Sequence, residues 1–496
     1  MTDRPLRILL EMRPALDGHA GIPQETRLLF RGLRKIEGLD VEGLIQSSGH
    51  VLARGLAPDA RDDPRLPVHK RLNRLSRVVI SLKEPLANAY VAGTWMALRH
   101  LAGGRERLDR FDGTHFRDFL WRSLFARTLH ADDFADVTGA QFRLARVPWV
   151  AMHRCALLTR KLGYMVYPRL DTSAFDVMIA ETPYPGTVAP RTKLVVRYHD
   201  AIPLLMPHTI SDKDYHQSSH YHALRHNVAC GARFACVSEA TRKDLISVFP
   251  EAAPRAVTLH NMISDHYFPE ESEPLRVAEI IRTRFNDSLS PGGPQARRIV
   301  APAADLDPQA RLDYLLIVST IEPRKNHLTL LAAWEHLRTG RHRDLKLVVV
   351  GMPGWDHESI IDKFRPWMER GELFVLEDVP SPELRLLYRH ARATVCPSFG
   401  EGFDFSGVEA MRCGGAVIAS RIPAHGEIYE DAAEYFDPYS TEGLARALEA
   451  VLDSPGDARR QDLVARGAAV SVQYTPGRIL PKWRDFLDNG LGDGAP

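Results

Sequence analysis

With 496 residues, 44% of them hydrophobic and 26% charged, the chain is too long for one ordinary core and too apolar to be disordered or fibrous. A formal net charge of +1 gives no global attraction to nucleic acid, so no nucleic-acid partner is expected. The opening Met1-Thr-Asp-Arg-Pro5 is followed by no long apolar core, no stretch approaches the ~20 apolar residues of a membrane span, and the five cysteines form no CxxC pair. A cytoplasmic, reduced protein is expected.

Short apolar runs alternate with segments of helical period, the pattern of parallel α/β architecture. In the first half, strands are predicted at Leu6–Leu10, Val41–Ile45, Asp176–Ala180, Lys193–Tyr198, Phe234–Val237 and Ala256–Leu259, with Ser238 capping a helix through Arg242–Ile246. Between the second and third of these lies a segment, about 54–175, that such a domain does not need. Residues 51–175 carry 21 Lys and Arg against 12 Asp and Glu, a net +9 that leaves −8 elsewhere. A helical insertion is predicted there. Its arginines, among them Arg117, Arg122, Arg143 and Arg146, either snorkel over the core or face an anionic acceptor or lipid headgroups.

After the Pro/Gly/Ala-rich stretch Ser288–Pro308, further strands are predicted at Tyr314–Val318, Leu345–Val350, Leu373–Leu376, Thr394–Cys396 and Ala416–Ala419. Ser381 is expected to cap a helix with Pro382 at its first position. The last helix is placed at Arg478–Leu487. The predicted fold class is α/β with two Rossmann-like, doubly wound domains facing across a cleft. The first, expected to bind the acceptor, spans 1–290, a linker 291–312, the second, expected to bind the nucleotide-sugar, 313–475, and a C-terminal helix within 476–496 returns to the first domain.

Two segments carry chemistry. Glu401-Gly-Phe-Asp-Phe-Ser-Gly-Val-Glu409 follows a predicted strand and enters a helix, so Glu401 lies where open α/β sheets bind ligands. Carboxylates accept pairs of sugar hydroxyls, and backbone N–H groups at a helix start suit a diphosphate. Ser406-x-x-Glu409 also has the spacing of a capping box, which would give Glu409 a purely structural task. Ser319-Thr-Ile-Glu-Pro-Arg-Lys-Asn326 again follows a strand, and Arg324 and Lys325 there suit a leaving diphosphate whose charge grows in the transition state.

Together these residues resemble glycosyltransferase family 4, the retaining GT-B enzymes, most closely its bacterial mannosyl- and rhamnosyltransferase-like members. The resemblance runs through Ser319–Asn326, Val350–Trp355, Glu401–Glu409 and Glu427–Ala433 in the second half, and Arg197–Pro203 and Val237–Arg242 in the first. It does not reach the basic segment. It implies that Glu401 contacts the transferred sugar and Glu409 the donor ribose, that Lys325 binds the diphosphate, and that His199 faces the sugar from the first domain. Backbone groups of Phe403, Asp404 and Phe405 would serve sugar and phosphate, and Gly21 in Gly18-His-Ala-Gly21 would let the first domain approach the phosphates.

Two positions depart from the family pattern. Thr320 stands where an arginine is common, leaving Arg324 to supply that charge. Asp404-Phe-Ser-Gly407 replaces small and proline residues, and an acid beside a diphosphate is unfavourable unless it points at hydroxyls. The mechanism implied is front-face substitution, with Asp200 kept in view as a base. The implied partners are a nucleotide-diphosphate sugar (GDP-mannose first, then dTDP- or UDP-sugars), an oligosaccharide or lipid-linked glycan acceptor of bacterial surface polysaccharide, and an anionic membrane surface at the inner face of the cell membrane. No cofactor and no metal is implied.

The paired histidines of His216–His226 have i, i+4 spacing that could hold a metal on a helix, and Asp305-Leu-Asp307 imitates a metal-binding carboxylate pair but sits in the linker. A nicotinamide oxidoreductase would want G-x-G-x-x-G after the first strand, where the chain has only Gly18-x-x-Gly21. A non-catalytic relative that binds a sugar nucleotide would keep the same pattern.

Overall fold

A parallel sheet buried on both faces selects continuous apolar runs, and the predicted runs become its strands. The computed structural model describes residues 4–16, 18, 21–58, 66–84, 94–96, 98–100, 102–160, 165–285, 303, 306–307 and 311–491. The first sheet holds β1 (Leu6–Glu11), β2 (Leu39–Gln46), β3 (Asp109–Phe111), β4 (Phe142–Ala145), β5 (Val177–Ala180), β6 (Lys193–Tyr198), β7 (Arg233–Cys236) and β8 (Ala256–Thr258). Its order is β3-β4-β2-β1-β5-β6-β7-β8, parallel except for β3. The second sheet, all parallel, holds β9 (Tyr314–Val318), β10 (Lys346–Val350), β11 (Leu373–Leu376), β12 (Ala393–Cys396), β13 (Val417–Ser420) and β14 (Ala433–Phe436), ordered β11-β10-β9-β12-β13-β14.

Strand order reverses between β1 and β5 in one sheet and between β9 and β12 in the other. Loops leaving the carboxyl ends of such a pair turn to opposite faces, and the crevice between them is where ligands bind. Each predicted motif leaves one of these strands or its neighbour.

The segment expected to be a helical insertion is only partly one. Beyond α1 (Ile22–Arg34), it contributes α2 (Val68–Lys83) and α3 (Trp149–Arg160), but also β3 and β4, and β4 pairs with β2 from Gly43↔Phe142 to Gln46↔Ala145. The run Phe142-Arg-Leu-Ala145 hides its strand because Arg143 interrupts it. Arg143 is buried, its Nε 2.6 Å from Glu42, and Arg146 donates to the Leu52 carbonyl at 3.2 Å. These two arginines serve the sheet, whereas Arg117 and Arg122 are exposed. Most of the predicted linker 291–312, and Asp305 with it, lies outside the described residues.

The later helices that bear on the cleft include α4 (Lys213–Ala229), α5 (Glu239–Val248), α6 (Ser381–His390), α7 (Phe405–Arg412), α8 (Pro423–Ile428) and α9 (Pro476–Asp485). Ser238 caps α5 as expected, accepting from the Thr241 N–H at 3.0 Å. At α6 the capping position is Pro380, which puts Ser381 inside the helix. Helix α9 returns to the first domain, where Ile479, Trp483, Phe486 and Leu487 join the core beside β1 and α1. The Arg197 guanidinium lies 5.2 Å from the Trp483 ring and is itself fully buried, bonded to Glu25 at 2.8 Å and Asn261 at 2.7 Å. Among the described residues no helix is long and apolar enough to cross a membrane.

Candidate active site

The loop after β9 is fixed by Asn326, which adopts φ +58°, a left-handed conformation asparagine tolerates better than most residues. Its side-chain amide donates to the carbonyls of Pro397 at 3.0 Å and Pro438 at 2.9 Å, and the Phe399 N–H donates to the Arg324 carbonyl at 3.0 Å. The loop after β9 is thereby stapled to the loop after β12. Lys325 Nζ then reaches Glu401 Oε1 at 2.5 Å, and Arg324 reaches Glu401 Oε2 at 2.9 Å and Glu322 at 2.8 Å. Burial opposes ionisation of Glu401, but Arg324 and Lys325 outweigh it and lower its pKa. Burial likewise opposes the Arg324 charge, and Glu401 and Glu322 more than offset it.

Asp404 resolves the departure noted in the sequence. It sits at φ +67° as the N-cap of α7, accepting from the Ser406 N–H at 3.2 Å and hydroxyl at 2.7 Å, with its other oxygen 3.2 Å from His425 Nε2. Burial raises its pKa, yet the His425 hydrogen bond and Lys325 pull it well below the usual carboxylate range. The carboxylate is therefore committed to the protein's own groups. Because Asp404 is the cap, the capping-box reading of Glu409 fails. Glu409 is buried and accepts instead from Gln24 at 2.6 Å and the Tyr388 hydroxyl at 3.1 Å. Burial lifts its pKa to about 7 against those hydrogen bonds. Phe403 is buried, with Phe405 5.3 Å away in an edge contact, so any role of theirs in binding falls to their backbone. Thr320 is exposed beyond β9.

The two domains meet on this loop. A Cβ added at Gly402 would lie 1.8 Å from the His199 carbonyl oxygen, so only glycine permits the approach. The Thr241 hydroxyl sits between the carbonyls of His199, at 3.3 Å, and Gly402, at 3.4 Å, and its single proton is shared between them. Gln24, on α1, reaches across to Glu409. Glu427, on α8, accepts from the Glu239 and Ala240 N–H groups at the start of α5, at 2.6 and 2.8 Å, and lies 2.9 Å from His260. A carboxylate at a helix N-terminus is favoured by the dipole and by unpaired N–H groups.

On the first-domain side, Gly21 precedes α1 with φ +71° and open space about its Cα, while His19 and Ala20 lie outside the described residues. His199, at the end of β6, is 3.5 Å from Glu181, which follows β5. Burial and then Arg197 lower His199 to about 4. Burial raises Glu181 to about 8, with Arg197 opposing and Glu11 adding to the rise. Neither Glu181 oxygen has a hydrogen-bond partner among the described residues. Asp200 accepts from the Ile202 N–H at 3.0 Å, within its own turn.

The structure thus brings Glu401, Lys325 and Arg324 into contact, holds His199 against the same loop, and puts Glu409 at the domain junction. Gln24, Glu181, Glu322 and Glu427 were not singled out from sequence. Position after a strand could have flagged Glu181, and proximity to Gly21 at the start of α1 could have flagged Gln24. Among the described residues no group of three or more histidines, cysteines or acids is placed to hold a metal, and the His216–His226 pairs are no exception.

Residues 304–469 match the family described as Glycosyl transferases group 1. That match covers about a third of the chain. The chain is 29% identical over 240 residues to O-antigen chain mannosyltransferase B of Escherichia coli, covering 48% of this chain and 56% of that one. It is 37% identical over 137 residues to serotype-specific mannosyltransferase WbdA of Escherichia coli, covering 27% of this chain and 16% of that one. The chain thus spans about half the length of the first relative and far less of the second. Among solved structures, sucrose-phosphate synthase of Thermosynechococcus elongatus aligns over 97% of this chain and 98% of its own, at 13% identity and a TM-score of 0.54. Anabaena Alr3699/HepE in complex with UDP and glucose aligns over 97% and 99%, at 13% identity and 0.55. The fold of the group 1 domain and its partner domain is GT-B.

The buried ionisable groups give opposed pH effects. Folded Glu181 keeps a proton that the unfolded chain releases above about 4.5, so its share of stability falls as pH climbs towards about 8. His199 works the other way, since its lowered pKa makes stability rise between about 4 and 6.5. Glu181→Gln should therefore lose less stability than the parent between about pH 5 and about pH 8 in denaturant unfolding. Superimposable pH profiles would contradict a buried, protonated Glu181.

Proposed function

We propose that this protein is a retaining glycosyltransferase that moves a hexose from a nucleotide-sugar to a glycan acceptor in bacterial surface polysaccharide synthesis. The observation that carries the reading is the Glu401 carboxylate held between Lys325 and Arg324, at a strand-order switch and against His199 of the facing domain. A nucleoside diphosphate brings negative charge that grows as it leaves, and two fixed cations stabilise that charge in the transition state. A carboxylate beside them accepts hydroxyl protons of the transferred sugar.

In this account the diphosphate lies by Lys325 and Arg324, the hexose between Glu401 and His199, and the ribose by Glu409, whose bond to Gln24 it shares or replaces. Gly21 and the backbone of Phe403, Asp404 and Phe405 border the phosphates and sugar. The leaving phosphate oxygen takes the proton of the acceptor hydroxyl while that oxygen bonds the anomeric carbon on the same face, which gives retention without a metal. GDP-mannose is the first candidate donor, because the chain is similar over part of its length to relatives named as mannosyltransferases. UDP-sugars come next, since solved neighbours of the same fold hold UDP or UDP-glucose.

Contact with an anionic membrane belongs to the same reading, with a lipid-linked acceptor. Its support has moved from Arg143 and Arg146 to α2, where Lys70 and Arg77 are exposed together with the apolar Val68 and Ile80. Basic and apolar side chains on one helix suit an interfacial position.

Glu401→Ala should abolish sugar transfer from a nucleotide-sugar while nucleoside diphosphate still binds in calorimetry; unchanged turnover would take Glu401 out of the mechanism. The doubly substituted Lys70→Glu/Arg77→Glu protein should sediment less than the parent with vesicles containing phosphatidylglycerol. If the parent itself never sediments with them, the membrane contact fails.

A further inference from the structure

A cavity of about 250 Å³ opens in the first domain between α3, α4 and the loops that follow β5 and β6. That is below the roughly 300–1,000 Å³ of sites for drug-sized ligands, a size for one small ring. Trp149, His153, Thr182, His216 and His220 line it together with His199, which borders the donor cleft. Among the described residues no lysine or arginine lines it, and Asp200 supplies its one carboxylate.

The chemistry of this lining is that of a carbohydrate site. Trp149 offers a broad apolar ring that packs against the Arg13 guanidinium, 4.2 Å from its centroid, and the His153 ring, in edge contact at 4.1 Å. Burial, with Arg13 next, lowers the His153 pKa to about 3, and burial, with His216 next, lowers that of His220 to about 4. Both rings are neutral near pH 7. A neutral imidazole has one donor and one acceptor, as a hydroxyl does, and cannot neutralise an anion. Among the described residues the buried ring nitrogens Trp149 Nε1 and His153 Nε2 have no hydrogen-bond partner, and His199 Nε2 has only Glu181 at 3.5 Å, a state that is costly unless a ligand completes it. Thr182 accepts from Arg13 at 2.9 Å, which leaves its hydroxyl proton free to donate.

We propose that this cavity is the acceptor subsite for one uncharged sugar ring, stacked on Trp149 and hydrogen-bonded through His153, Thr182 and His216, with its reactive hydroxyl towards His199. The subsite selects against phosphorylated sugars and uronic acids, because the one guanidinium beside it, that of Arg13, is already paired with Glu11 at 2.7 Å. This rests on the glycosyltransferase reading, and it absorbs the histidine pair His216/His220 that a metal does not explain.

The test is ligand-observed NMR on the full chain with methyl α-D-mannopyranoside, methyl α-D-glucopyranoside and mannose 6-phosphate, with donor turnover assayed in parallel. Saturation should transfer to at least one neutral pyranoside and be about tenfold weaker for mannose 6-phosphate, the order of one lost contact. Trp149→Ala and His216→Ala should each weaken neutral-ring binding by roughly tenfold and raise the acceptor KM, leaving the donor KM unchanged. His216 is exposed, so its variant tests the site even if Trp149→Ala fails to fold. Equal binding of mannose 6-phosphate, undiminished binding in His216→Ala, or a raised donor KM in either variant would overturn the subsite. Pyranoside binding in a chain that turns over no nucleotide-sugar would support a sugar pocket and overturn the transfer reading instead.

Discussion

The two domains meet at a backbone contact that leaves no room for a side chain, Gly402 against the His199 carbonyl. No side chain fits there, so the loop after β12 and the end of β6 come together only because residue 402 has none. The Thr241 hydroxyl shares its single proton between the two carbonyls, and Gln24 and Glu427 add one cross-domain bond system on each side. Such polar contacts are individually modest, and a junction made of them can open and close. On the proposed transfer reading, the cleft admits and releases a large substrate and needs that reversibility.

Charge in the cleft is organised by pairing and not by exposure. Glu401 bridges Lys325 and Arg324, and Arg324 also holds Glu322, so two cations are balanced by two carboxylates in a desolvated place. Pairs of this kind add little to stability, because desolvation consumes most of their attraction. Their value is positional, since the cations stay where a diphosphate would arrive. Asp404 illustrates the complementary rule. An acid that would repel phosphate is turned away by its own left-handed backbone, capping α7 and meeting His425.

Much of this was readable from sequence where one physical cause dominates. Buried strands such as Tyr314–Val318 and Leu373–Leu376 are uninterrupted apolar runs flanked by turn residues, and the structure has them with those bounds. The placement of Glu401 and Arg324-Lys325 beyond strand ends followed from the same pattern. Strand β4 was not legible because its buried Arg143 is neutralised by Glu42, a partner 101 residues away that no local pattern reveals. The same blindness hid Gln24 and Glu181, whose significance lies in contacts made across the fold. The capping box at Ser406 misled because its spacing was right while the preceding Asp404 made the better cap.

The claim on which the account turns is that the crevice at the two strand-order switches is a nucleotide-sugar site. A thermal-shift titration of the intact protein with GDP-, UDP- and dTDP-sugars, with and without EDTA, tests it most directly. The account predicts that one nucleotide class stabilises the fold by about 2.7 kcal/mol at a hundredfold excess over its Kd, and that EDTA leaves the shift unchanged. No shift with any of them, or a shift that EDTA abolishes, would contradict it.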